Sequence, residues 1–108
     1  MESLNFGGLE PEFSEYGSAR FVILPVPYDQ TSTWGKGADQ GPQAILEASA
    51  NMELYDIETQ SEPYTTGIFT APPIVTKEPP EILFERVWEQ VRQFLKEGKF
   101  VITLGGEH

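Results

Sequence analysis

Two stretches of β-forming residues constrain this chain more than anything else: Phe21–Val26 (FVILPV) and residues 99–104 (KFVITL). A strand that is apolar at successive positions needs cover on both faces. Such strands belong to parallel sheets with helices on either side. The segment before the second run supplies the helix such a sheet needs. Residues 81–97 follow Pro79-Pro80 and place Ile82, Val87, Val91, Phe94 and Leu95 near helical spacing, with Phe84 and Trp88 widening the stripe. Glu81 and Glu85 favour the positive N-terminal end of this helix, Lys96 its C-terminus, and Gly98 is placed to cap it. Phe84 and Trp88 are expected in the core, and Glu81, Glu85 and Glu89 on a solvated face.

The rest of the chain is punctuated by glycine and proline. Pro25 and Pro27 end the first run and send the chain into a polar, glycine-rich loop, residues 29–41 (DQTSTWGKGADQG). Connections this long in a compact domain are often functional. Gly41-Pro42 then opens a short helix, since proline at the first helical position forfeits no hydrogen bond. Its Ile45, Leu46 and Ser49 share one side. Tyr55, Ile57 and Thr59 alternate with Asp56 and Glu58, the period of a half-exposed strand. Residues 66–70 (TGIFT) read as another strand, stopped by Pro72-Pro73. Residues 1–19 read as an irregular N-terminal arm in which Phe6, Phe13 and Tyr16 offer anchors, and residues 20–108 as the α/β unit. Strands alternating with helices give a parallel α/β sheet.

In open α/β sheets ligands bind just beyond the carboxyl ends of the strands. Two segments fall there: the loop that begins at Pro27, and Gly105-Gly106-Glu107-His108. Paired glycines let the backbone turn tightly or approach a neighbour closely as it leaves a strand. They would set Glu107 and His108 at the rim of the sheet. Imidazole is the commonest protein metal ligand and a general base near neutral pH. On position and residue type alone, His108 remains open between a metal ligand and a structural histidine. Asp29, Thr31, Ser32 and Asp39 either line a site or make turns and caps. Gly35-Lys36-Gly37 is no phosphate-binding loop, because Gln30 stands where that motif needs glycine and Gly37 where it needs serine or threonine.

Charge narrows the partners. With 7 basic against 17 acidic residues the net charge is −10, which disfavours nucleic acid and anionic membranes, both bound by clustered Lys and Arg. It suits a cation. Without cysteine there is neither a disulfide framework nor a Cys-based zinc site. The N-terminus lacks the apolar stretch of a signal peptide, and a cytoplasmic location is expected.

Taken in order, residues 25–41 (PVPYDQTSTWGKGADQG), residues 41–51 (GPQAILEASAN) and residues 104–108 (LGGEH) resemble the ureohydrolase family of arginases and agmatinases, the agmatinase branch more closely. The resemblance covers residues 20–108. It implies the N-terminal part of a three-layer α/β/α fold. It also implies hydrolysis of a guanidino group with release of urea, agmatine to putrescine plus urea being the leading case. The family uses two manganese ions bridged by a hydroxide, a two-metal arrangement. Its first metal motif reads GGDH, so the resemblance makes His108 a metal ligand, with Glu107 where the family has Asp and supporting the loop. The family's Tyr-Asp loop maps onto Tyr28 and Asp29, and from that placement Tyr28, Asp29, Thr31 and Ser32 are expected on a substrate or active-site loop.

The family's remaining ligands come from Asp-x-His-x-Asp and Asp-x-Asp motifs that these 108 residues do not contain. One histidine does not hold two such ions, so the isolated chain is expected to be inactive. It is also expected to self-associate or stay partly disordered, because a truncated sheet has an open edge. The resemblance further implies a homo-oligomer, commonly a hexamer, with the arm near a subunit contact. Arginine, guanidine and formiminoglutamate remain as substrates of the same class. A non-catalytic assembly or binding module built on this fold is the reading from another class.

Overall fold

The apolar continuity of Phe21–Val26 finds its explanation in position: this strand, β1, lies at the centre of a three-stranded parallel sheet. The computed structural model describes residues 4–31 and 35–107. In chain order the elements are β1, helix α1 (Gly41–Ser49), strand β2 (Ile68–Thr70), helix α2 (Pro80–Lys96) and strand β3 (Phe100–Gly105). The strand order is β2-β1-β3. Phe21 pairs with Ile68 on one edge and with Phe100 on the other, and the β1–β3 ladder runs on to Val26 opposite Gly105.

The chain thus steps one way from β1 to β2 and the opposite way from β2 to β3. Right-handed crossovers then put α1 and α2 on opposite faces, giving three layers. Val22, Leu24 and Val26 form one buried cluster with Phe94, against which Leu83, Val87, Val91 and Val101 pack. This is the α2 face. The expected helix and the observed one differ by a single residue at each end.

The core is narrower than the sequence suggests. Phe84 and Trp88 are 69% and 53% exposed, so neither joins the core as expected. The stripe that meets β1 runs through Leu83, Val87, Val91 and Phe94, and Phe84 and Trp88 stand about a quarter-turn away, beside Leu95 and Arg92. The Arg92 guanidinium lies 5.3 Å from the Trp88 ring centre. Nor is β3 covered on both sides: Phe100 and Ile102 are exposed because it is the edge strand among the described residues. The alternation at Tyr55, Ile57 and Thr59 makes no strand. Asp56 instead caps a turn, accepting from the Glu58 N–H at 3.2 Å and the Thr59 hydroxyl at 2.7 Å, and Ile57 is 80% exposed. Local side-chain bonds of this kind compete with sheet pairing. The strand expected over residues 66–70 shortens to Ile68–Thr70, since Gly67 adopts φ +91° to pass Ala19. No described helix is long and apolar enough to cross a membrane.

Residues 5–18 contain two short 3₁₀ turns and dock through aromatics on β2 and on the turn that precedes it. Phe13 meets Tyr64 edge-on at 5.1 Å, and Tyr16 meets Phe69 at 5.0 Å. The Tyr16 hydroxyl donates to the two Glu97 carboxylate oxygens at 2.6 and 2.9 Å, while Lys99 Nζ sits over the Tyr16 ring and donates to the Tyr16 and Ala19 carbonyls. Burial, followed by the bond to Glu97 and its charge, pushes the Tyr16 phenol from 10.0 up to about 12. The same hydrogen bond leads the causes holding the Glu97 carboxyl below its ordinary value. A raised phenol means the neutral form is favoured in the folded chain. Its contribution is complete below pH 10 and is lost as pH rises through about 12. Glu97 behaves oppositely, contributing above its ordinary pKa and losing that on acidification. Ultraviolet titration of the wild type minus Tyr16→Phe should therefore show the missing tyrosine ionising near pH 12. A missing component at the ordinary value would mean that the Tyr16–Glu97 contact does not form in solution.

Candidate active site

The loops leaving β1 and β3 meet, because these strands are neighbours, parallel and in register to their last residues. Pro27 has no N–H to extend the ladder, so the chain turns, with the Tyr28 N–H bonded to the Val26 carbonyl at 2.9 Å. This buries Tyr28. Its hydroxyl reaches the Glu78 carbonyl, just before α2, at 2.6 Å. Burial, with the charges of Glu107 and Glu81 adding, pushes the Tyr28 phenol up. Tyr28 is accordingly a neutral hydrogen-bond donor at ordinary pH.

Asp29 is the one buried acid among the described residues, 8% exposed. Its Oδ2 accepts the Gly37 and Ala38 N–H groups at 2.7 and 3.1 Å, folding the glycine-rich loop back on itself ahead of α1. The Lys36 ammonium lies 3.5 Å from the Asp29 carbonyl. A buried carboxylate is tolerated when backbone N–H groups stabilise its charge.

Gly106 makes the meeting of the loops sterically possible. A Cβ there would stand 2.4 Å from the Tyr28 carbonyl oxygen, 3.0 Å from its nitrogen and 3.1 Å from the Ala38 carbonyl oxygen. The next residue closes the contact twice. The Glu107 N–H donates to the Tyr28 carbonyl at 2.9 Å. Its carboxylate receives the Thr31 N–H at Oε2, at 2.6 Å, and the Thr31 hydroxyl at Oε1. That hydroxyl and then that amide hold the Glu107 carboxyl below its ordinary value. Tyr28, Asp29 and Thr31 therefore gather with Glu107 at the carboxyl ends of β1 and β3. Ser32 and His108, also named from the sequence, lie outside the described residues.

Spacing alone does not reveal the partnership of Thr31 with Glu107, nor the Glu78 carbonyl as the acceptor for Tyr28. The paired glycines were the one sequence signal of a close approach. No three His, Cys, Asp or Glu side chains among the described residues come together as a metal cage. Both Glu107 oxygens face Thr31, and Asp29 Oδ2 faces backbone N–H groups. The described donors do not by themselves fit a manganese ion.

A model of the arginase family matches residues 19–108, from the start of the sheet through both loops. The chain belongs to the arginase family. It is 37% identical over 107 residues to an N(1)-aminopropylagmatine ureohydrolase of Synechocystis sp., covering 93% of this chain and 35% of that relative. Against an enzyme of the same name from Thermus thermophilus it is 38% identical over 94 residues, covering 86% and 32%. The crystal structure of agmatine ureohydrolase of Thermoplasma volcanium superposes with a TM-score of 0.81 at 28% identity, over 88% of this chain and 32% of that one. The fold is thus an arginase-family α/β fold in its N-terminal part, and the chain spans about a third of the length of the relatives it matches.

Proposed function

We propose that the chain forms part of a ureohydrolase acting on an agmatine-type guanidino compound. The observation that carries this reading is the family match over residues 19–108, which includes both loops that meet at the strand ends. In such a reaction a water oxygen adds to the guanidino carbon, the bond to the alkyl-bearing nitrogen breaks, and that nitrogen leaves as an amine with a proton. The products are urea and an amine, putrescine when the substrate is agmatine. The net charge of −10 suits a cationic substrate. The relatives' names add the aminopropyl derivative of agmatine as a second substrate to set beside agmatine itself.

In this reading Tyr28, Asp29, Thr31 and Ser32 belong to the loop beside the substrate, and His108 is a manganese ligand. The further donors for a pair of manganese ions come from outside these 108 residues. A cytoplasmic homo-oligomer completes the proposal. The test is urea release from agmatine, N(1)-aminopropylagmatine and arginine by the full-length protein supplied with manganese, beside the 108-residue chain alone. The two agmatine compounds should yield urea with the full-length protein only. No urea from any guanidino compound sinks the reading, and urea from the 108-residue chain alone overturns its expected inactivity.

A further inference from the structure

The loops leaving β1 and β3 are joined by two contacts of different kinds. One is main chain: the Glu107 N–H on the Tyr28 carbonyl, beside the close approach of Gly106. It fixes where the backbone leaves β3. The other is side chain: the Glu107 carboxylate receives both donors of Thr31, 76 positions away in sequence. It acts on the β1 loop two residues beyond Asp29, at Thr31. That loop is long and Thr31 is exposed, so its placement carries a high entropy cost unless something pins it. Asp29 ties Gly37 and Ala38 to the loop's own beginning. Glu107 ties the loop to a different strand. Two charge-assisted bonds from one residue also set direction as well as distance.

We propose that Glu107 is a positioning residue which, through Thr31, places the β1 loop and thereby sets the affinity for the cationic guanidino substrate, an inference that rests on the ureohydrolase reading. Both Glu107 oxygens accept from Thr31, so the role assigned to Glu107 is to hold the loop. Glutamine offers one acceptor oxygen in place of two. Valine at position 31 keeps the N–H and loses the hydroxyl, while serine keeps both donors. Loosening the side-chain tether leaves the main-chain tether in place, so the effect falls on substrate affinity more than on turnover.

The experiment uses the full-length protein with manganese, in four forms: wild type, Glu107→Gln, Thr31→Val and Thr31→Ser. Amide hydrogen exchange at residues 31 and 35–38 is read beside KM and kcat for agmatine. Glu107→Gln and Thr31→Val should each speed exchange and raise KM by about tenfold, the scale of one charge-assisted hydrogen bond. In both, kcat should fall by less. Thr31→Ser should stay close to wild type in every reading, a rescue that a purely steric role for Thr31 does not give. Thr31 is exposed, so its variants test the tether even if Glu107→Gln folds poorly. Unchanged exchange in Thr31→Val overturns the proposal, and so does a fall in kcat with KM constant. Faster exchange in a protein that hydrolyses no guanidino compound upholds the tether and overturns the ureohydrolase reading instead.

Discussion

Gly106→Ala should destabilise the protein by about 3 kcal/mol. The added methyl group would stand 2.4 Å from the Tyr28 carbonyl oxygen, with the Tyr28 nitrogen and Ala38 carbonyl oxygen at 3.0 and 3.1 Å. All three neighbours are backbone, so no side chain can swing aside. Relief requires the β1 loop to part from the end of β3. Doing so stretches the bond between the Glu107 N–H and the Tyr28 carbonyl and pulls Thr31 from the Glu107 carboxylate. The neighbouring glycine supplies the control: a Cβ at Gly105 meets nothing within 4 Å. Gly105→Ala should therefore cost less than about 1 kcal/mol. Denaturant unfolding of the two variants beside wild type is the measurement. Equal stabilities would show that the close approach at Gly106 does not exist in solution.

Leu24→Ala carries the largest expected effect outside the site, about 3 to 5 kcal/mol. Leu24 is fully buried, at 0% exposure, in the central strand. It stands among Val22, Val26 and Phe94, with α2 on its face of the sheet. Backbone pairing along β1, including Leu24 with Thr103, resists the collapse that would fill the cavity left by the lost atoms. Ile57→Ala removes a similar apolar side chain at a position 80% exposed, and should change stability by less than about 0.5 kcal/mol. Similar losses at the two positions would mean that β1 is not the centre of the core.

How far the sequence alone reaches is clear from individual residues. The unbroken apolar run of β1 required a covered strand, and β1 is covered by elements on both faces. The prolines before residue 81, the spacing from Val87 to Phe94 and the glycine at 98 placed α2 to within a residue. Those signals are local: each depends on how a residue treats its own backbone or on the period of a single element. They also carried Tyr28, Asp29 and Thr31 to the carboxyl end of the sheet, because strand direction and loop position follow from chain order.

What failed to read from the sequence depends on neighbours. Ile57 keeps the alternation of a strand, yet Asp56 finds the Glu58 N–H and the Thr59 hydroxyl within three residues and the segment turns. Phe84 and Trp88 are as apolar as Phe94, but only the narrower stripe of α2 faces β1.

The class of fold, a parallel α/β sheet, was legible along the chain. Its ordered motifs also resembled the family to which the chain belongs, because hydrophobic period, backbone restriction and motif order are written along the chain. The tertiary structure alone decided which strand is central, which aromatics stay in solvent, and that Glu107 grips Thr31 across 76 positions. Those outcomes are contacts between distant segments, and a contact exists only once both partners have been brought to the same place.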